Sequence, residues 1–175
     1  AALARLKAGN ERFVEGRPLR RDGLQQVRQT SAGQFPVAAI LGCIDSRVPP
    51  EMVFDTGIGD VFAARIAGNA LDDELLGSLE FATSVAGAKA IVVLGHTECG
   101  AVKGACDGVE MGHLTQALAL LEPAVAAARG KVPPPHDSKN PAFVRATIDL
   151  NAELTAKAMT ERSPILRGLV EQGKL

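Results

Sequence analysis

The chain has 175 residues, of which 46% are hydrophobic and 22% charged, and its formal net charge is −1. This length suits one buried core, and the near-zero charge gives no electrostatic basis for binding nucleic acid or an anionic membrane. There is no Trp and no Tyr, so the aromatic side chains on which single-stranded nucleic acid stacks are scarce. The apolar runs are too short to span a bilayer. We therefore expect a globular domain that binds neither nucleic acid nor a membrane.

The first residues have the pattern of an amphipathic helix. Within residues 1–15, the side chains of Leu3, Leu6 and Phe13 fall on one stripe, and charged residues occupy the other positions. A polar, arginine-rich stretch follows and extends to Pro36. We predict a helix over residues 1–15.

Three short apolar runs indicate buried strands. They do not alternate between apolar and polar residues, which is typical of strands covered on both faces of a parallel sheet; they are VAAIL (37–41), VFAA (61–64) and AIVVL (90–94). Helical patterns separate and follow these runs, at residues 72–85, 113–128, 142–162 and 163–175. This order predicts an α/β domain with a mainly parallel sheet flanked by helices. In such sheets, ligands bind beyond the carboxyl ends of the strands.

Two of the three runs lead into residues that can bind a metal. The first run leads into Cys43, and the third leads into His96, with Cys99 three residues later. Because the carboxyl ends of parallel strands meet at one edge of a sheet, we expect these side chains to converge. Two thiolates and one imidazole suit Zn²⁺, and three protein ligands leave a fourth tetrahedral position open for water.

Simpler interpretations exist for each of these residues taken alone. A cysteine after a buried strand is commonly a small core residue, and a single histidine is commonly just hydrogen-bonded. The joint occurrence of such residues at two strand ends, with Asp45 and Arg47 beside one of them, favours a metal site. Cys106 has no such neighbours, so we expect it to be structural. We expect His113 and His136 to have surface roles.

Longer sequence blocks resemble the signature blocks of β-class carbonic anhydrases. The blocks occur in the order found in that family: CIDSRVPPE (43–51), GDVFAARIAGN (59–69), GSLEFA (77–82) and VVLGHTECGAVKGA (92–105). The segment SPILRGLVEQGKL (163–175) resembles the family's closing helix. The resemblance implies one β-carbonic anhydrase domain over residues 1–175, with the amphipathic helix at 1–15. The family usually continues into a further strand, so we expect the closing edge strand to be missing from this sheet.

The resemblance also implies a role for each matching residue. Cys43, His96 and Cys99 match the ligands of one zinc ion per chain, and Asp45 and Arg47 match a catalytic pair. Other positions match residues of the substrate pocket, among them a glutamine that the family supplies from the neighbouring subunit; these positions are Gln34 (the glutamine), Phe62, Ala67, Phe81 and Gly100.

The implied reaction is the reversible hydration of carbon dioxide to bicarbonate and a proton by a zinc-bound hydroxide. Asp45 would accept a hydrogen bond from the hydroxide, and Arg47 would keep Asp45 ionised and oriented. Asp45 would also be able to leave Arg47 and take the fourth zinc position. Two alternatives are a zinc hydrolase that acts on carbon disulfide or carbonyl sulfide, and a non-catalytic zinc-binding protein. A non-catalytic zinc-binding protein would have no use for Asp45 and Arg47 as a pair that orients hydroxide.

Assembly and compartment are further expectations. The resemblance implies a homodimer or higher homo-oligomer with intertwined amino-terminal helices, although the apolar stripe of residues 1–15 would equally suit packing on its own domain. Three cysteines are too few for a disulfide framework in a chain of this length. We expect reduced thiols and a cytoplasmic protein, or a periplasmic one if a signal peptide has been removed before Ala1.

Overall fold

Three short parallel strands form the centre of the fold, which a computed structural model describes over residues 1–175. They are β1 (Ala38–Gly42), β2 (Val61–Arg65) and β3 (Ile91–Leu94). β1 lies in the middle, with β2 on one side and β3 on the other. The prediction of a mainly parallel sheet flanked by helices is confirmed. No further strand pairs with β3.

The three strands end level with one another. Gly42 of β1 is aligned with Arg65 of β2 and with Leu94 of β3. Every residue of β1 is buried, which explains why its sequence does not alternate between apolar and polar residues. Because the strands end level, the residues that follow them emerge at one edge of the sheet.

Nine α-helices accompany the sheet. In chain order they are α1 (Ala2–Val14), α2 (Gly23–Thr30), α3 (Pro50–Val53), α4 (Asp73–Glu80), α5 (Gly100–Cys106), α6 (Gly112–Ala119), α7 (Glu122–Arg129), α8 (Pro141–Arg162) and α9 (Pro164–Glu171). A wider helical turn, Phe81–Val85, continues α4. In no helix are length and apolarity together sufficient for a bilayer crossing.

Side-chain caps explain where three of the predicted helices begin. The Asp72 carboxylate accepts a hydrogen bond from the Leu75 N–H at 2.7 Å at the start of α4. Asn140 and Ser163 cap α8 and α9 in the same way, and each is followed by a proline, which fits the first helical turn because its missing N–H is not needed there. These helices lie in the segments where the sequence predicts them.

Other helices differ from the prediction. The sequence predicts one helix over 113–128, but the structure has α6 and α7 there. Pro123 has no N–H, and its ring would clash with the carbonyl of Ala119 in a continuous helix, so the helix restarts. The arginine-rich stretch contains α2, whose first turn is capped by Asp22. Helices α2, α3 and α5 were not predicted.

Helices cover both faces of β1. Ala39 and Leu41 pack in a cluster with residues of α4, α8 and α9, whereas Ile40 packs with Leu6 of α1. This follows from the alternation of side chains along a strand. A separate core formed mainly by α5 to α8 extends to the carboxyl edge of the sheet and includes Cys43 and Cys99. Both sulfur atoms therefore lie at the border of a close-packed interior.

A buried carboxylate joins the amino-terminal region to the domain. The Asp55 side chain is 2% exposed and accepts hydrogen bonds from the side chains of Arg12 and Arg21 and from the Leu19 N–H at 3.2 Å. The Arg21 hydrogen bond is the largest cause that holds the pKa of Asp55 at about 2, against the opposing effect of burial. Asp55 therefore stabilises the fold as a carboxylate.

We predict that Asp55→Asn lowers the free energy of unfolding by roughly 2 kcal/mol at neutral pH, because two guanidinium groups lose their charged partner. The loss should shrink as the pH falls from about 4 towards 2, since the carboxyl of the unfolded chain then takes up a proton while the native one, with a pKa of about 2, is still largely ionised. Urea unfolding at neutral pH and at pH values in that range measures both effects.

The control is Asp149→Asn, which breaks the exposed Arg145–Asp149 pair and should change stability by less than about 0.5 kcal/mol. Equal losses of unfolding free energy in the two variants would contradict the stabilising role of Asp55.

Candidate metal centre

Three potential metal ligands meet at the carboxyl edge of the sheet. Cys43 directly follows β1, His96 lies two residues beyond β3, and Cys99 immediately precedes α5. Their ligand atoms all lie within 4.8 Å of one another, and the two Sγ atoms are 4.0 Å apart. Two sulfur ligands at about 2.3 Å from one tetrahedral ion are about 3.8 Å apart. The two sulfurs are therefore already close to the spacing that zinc needs.

The ring of His96 is oriented for metal binding. Its Nδ1 lies 2.8 Å from the carbonyl oxygen of Thr97, and because a carbonyl only accepts, Nδ1 carries the hydrogen. Nε2 therefore has its lone pair free, yet it is buried and has no hydrogen-bond partner. Buried polar atoms are rarely left unpaired. A cation between Nε2 and the two sulfurs would satisfy it, so the residues present fit a zinc ion.

One hydrogen bond between the two thiols shifts their pKa values in opposite directions. A hydrogen bond from the Cys99 thiol is the largest cause that lowers the pKa of Cys43, and the Gly68 N–H, 3.3 Å from Cys43 Sγ, acts in the same direction. The same contact, together with burial, raises the pKa of Cys99. The pair thus holds one negative charge readily and the second only when a cation offsets it.

Asp45 and Arg47 form a bidentate pair beside these ligands. Arg47 Nε donates to Asp45 Oδ1 at 2.9 Å, Arg47 Nη2 donates to Oδ2 at 2.6 Å, and the Arg47 backbone N–H donates to Oδ1 at 2.9 Å. The Arg47 side chain is the main cause that holds the pKa of Asp45 well below its usual range. Asp45 Oδ2 lies 3.9 Å from His96 Nε2. The carboxylate is thus ionised and next to the cluster while it remains paired with Arg47.

Arg65 is a site residue that sequence reasoning missed. At the end of β2, its Nε donates to the Cys43 carbonyl at 2.9 Å and its Nη2 donates to the Asp45 carbonyl at 2.7 Å. It thereby fixes the backbone that carries Cys43, a potential ligand, and the Asp45 carboxylate. Only the pairing register of β2 with β1, which places Arg65 level with Gly42, could have revealed this role of Arg65.

Only some of the predicted substrate-binding residues lie close to one another. The rings of Phe62 and Phe81 meet edge to face, with centroids 6.3 Å apart, and line an open, mostly apolar groove of about 770 Å³. Arg65 also lines this groove, but none of the three metal-competent residues does. Ala67 lies in the turn after β2, and Gly100 is the first residue of α5.

Gln34 lies far from the metal cluster of its own chain. It is exposed and precedes the amino end of β1, whereas Cys43 follows the carboxyl end. Five residues of strand separate the two positions by roughly 17 Å. Within one chain, the structure therefore does not bring Gln34 to the site.

Comparisons with known proteins agree with this fold and this set of residues. The family model described as carbonic anhydrase matches residues 38–175. Carbonic anhydrase 2 of Mycobacterium tuberculosis is 48% identical over 115 residues, which are 65% of this chain and 56% of that protein. The chain thus spans about half the length of this curated relative.

Two solved structures have the same fold. The β-carbonic anhydrase CafA of Aspergillus fumigatus superposes with a TM-score of 0.70 at 28% identity, over 98% of this chain and 80% of that one. One of two tetrameric β-carbonic anhydrases from Sordaria macrospora superposes with a TM-score of 0.71 at 25% identity, over 84% of this chain and 79% of that one. The chain belongs to the β-class carbonic anhydrase family, as its sequence blocks predict.

We predict that Cys43→Ala lowers zinc affinity more than about 100-fold, because it removes a ligand rather than a supporting group. The matched control is Cys106→Ala, which removes a buried sulfur of the same core whose hydrogen bond, at 3.8 Å, is to Thr147 Oγ1. Zinc per chain after dialysis against a chelator is the measurement. Zinc retention by Cys43→Ala, or loss from Cys106→Ala, would contradict the assignment.

Proposed function

We propose that this protein catalyses the reversible hydration of carbon dioxide to bicarbonate and a proton, with one zinc ion per chain held by Cys43, His96 and Cys99. The observation that carries this proposal is the buried, unpaired Nε2 of His96, which lies within 4.8 Å of two sulfurs and 3.9 Å from the Asp45 carboxylate. A metal-dependent hydration requires three protein ligands to the metal and a hydrogen-bond acceptor beside them. A structural zinc site, by contrast, usually has four protein ligands.

Zinc, when bound, supplies a nucleophile near neutral pH by lowering the pKa of a coordinated water. Asp45, ionised and beside the three proposed ligands, would orient that nucleophile towards the substrate by accepting a hydrogen bond from it. Arg47 keeps Asp45 ionised and in one orientation through two side-chain hydrogen bonds. Arg65 donates hydrogen bonds to the backbone carbonyls of Cys43 and Asp45. It thereby holds the proposed zinc ligand and the proposed hydrogen-bond acceptor in place relative to each other.

The same proposal assigns the substrate pocket. Carbon dioxide is small and has no net dipole, so an apolar wall suits it, and we assign that wall to Phe62, Ala67 and Phe81. Gly100 is proposed to face the substrate through its backbone N–H. The groove that contains both Phe rings is open in the single chain, which agrees with a wall that a second subunit completes.

A homo-oligomer is therefore part of the proposed function. Gln34 is on the wrong end of β1 for its own site, so we assign it to the pocket of a neighbouring copy. The adjacent Phe35 is 88% exposed, and an interface would cover it. A solved relative with this fold is tetrameric.

We further propose that residues 1–175 act as one domain and that the protein works in the cytoplasm. The buried Asp55, which binds residues of the amino-terminal region, supports the first point. All three cysteines are free, and the proposed site needs two of them reduced, which the cytoplasm favours.

Stopped-flow hydration of carbon dioxide by the zinc-loaded protein tests the function. We predict clear catalysis by the wild type and a fall in kcat/KM of at least about 100-fold for Asp45→Asn, which keeps the shape of the side chain but is neutral and therefore accepts a hydrogen bond more weakly than a carboxylate. The zinc content of the variant should be unchanged, because the native Asp45 is paired with Arg47 and is not one of the three proposed zinc ligands.

The matched control is Asp149→Asn, whose carboxylate is on the exposed surface of α8 and should leave kcat/KM unchanged. A zinc-loaded wild type with no hydration above buffer would contradict the proposal. Turnover of carbonyl sulfide or carbon disulfide by that same preparation would then identify the protein as a related zinc hydrolase.

A further inference from the structure

The sulfur of Cys43 depends on a hydrogen bond from a distant turn. The Gly68 N–H donates to Cys43 Sγ at 3.3 Å. Gly68 has φ 69° and ψ 18°, a left-handed conformation that glycine adopts without strain. A Cβ at this position would lie 2.8 Å from Leu121 Cδ1, so a larger residue would have to displace that side chain and also adopt a strained backbone conformation. The glycine is required here, but it is also the residue with the least conformational preference.

Because glycine is so permissive, something outside the turn must fix the direction of its peptide groups. Asn151, in the middle of α8, provides this: its Nδ2 donates to the Gly68 carbonyl at 2.7 Å. The contact joins residues 83 positions apart in the sequence. Gly68 is thus held by Leu121 on one side and by Asn151 through its carbonyl.

The burial of Asn151 calls for a physical reason. Asn151 is only 4% exposed, and burying an amide side chain costs free energy unless its hydrogen bonds are made. A leucine would pack in similar space without that cost. The amide makes one hydrogen bond within the protein, and that bond is to the residue that donates to a proposed zinc ligand.

We propose that Asn151 is a positioning residue of the metal centre: it fixes Gly68, so that the Gly68 N–H stays directed at Cys43 Sγ. The inference rests on the proposed zinc site. An N–H donor holds the sulfur in place and takes up part of the negative charge of a thiolate. Without Asn151, the glycine turn rotates more freely, the donor is lost for part of the time, and the site binds metal less tightly.

Two variants test this inference with metal binding rather than activity as the readout. Asn151→Leu keeps the volume and removes the donor, and Asn151→Ser is too short to reach the Gly68 carbonyl; either one provides the measurement if the other does not fold. The control is Thr155→Val, one turn further along the same side of α8, which is also buried, whereas the hydrogen bond to the Gly68 carbonyl comes from Asn151. Zinc affinity is measured by competition with a chromophoric chelator, and the sulfur-to-metal absorption is recorded after loading with Co²⁺.

We expect each Asn151 variant to bind zinc about tenfold more weakly than the wild type and to shift the sulfur-to-cobalt band, with Thr155→Val matching the wild type in both. The inference is overturned if a folded Asn151 variant matches the wild type, or if Thr155→Val loses as much affinity, because the effect would then be general destabilisation. A wild type that binds no zinc overturns the proposed function itself, a result distinct from either of these.

Discussion

The parallel pairing of β1 with β3 determines where the proposed zinc ligands lie. Since Gly42 and Leu94 end the two strands level, Cys43 and His96 leave the sheet at the same edge. Cys99 then reaches the same point because only two residues separate it from His96. A shift of one residue in this pairing would turn the side chains of one strand to the opposite face. The two faces of the sheet pack against different helices, so such a shift would disrupt this packing.

The surroundings of the cluster control its charge. Two thiols at the edge of a packed core share one negative charge, and a cation is needed to favour the second. Arg47 neutralises Asp45 and keeps it ionised, whereas Arg65 binds only backbone carbonyls and so adds a positive charge without a carboxylate partner. These features suit a site that stabilises anionic ligands and an anionic product.

The sequence predicts the sheet and the metal-competent residues because their signals are local. A non-alternating apolar run followed by Cys43, and another followed by His96, are visible within a few residues. Contacts between distant segments have no such signal: the bond of Asn151 to Gly68 spans 83 positions, and the bonds of Arg65 go to carbonyls that every residue has. The break between α6 and α7 was readable from Pro123, but the continuous apolar pattern around it favoured one helix.

The most direct test of this account is a crystal structure of the zinc-loaded protein at alkaline pH. We predict one ion per chain, about 2.3 Å from the sulfurs of Cys43 and Cys99 and about 2.0 to 2.1 Å from Nε2 of His96. The fourth position should hold water or another small molecule, with Asp45 still paired with Arg47. Sulfur atoms more than about 4 Å from a shared ion, or a permanent fourth ligand from the protein, would contradict the account.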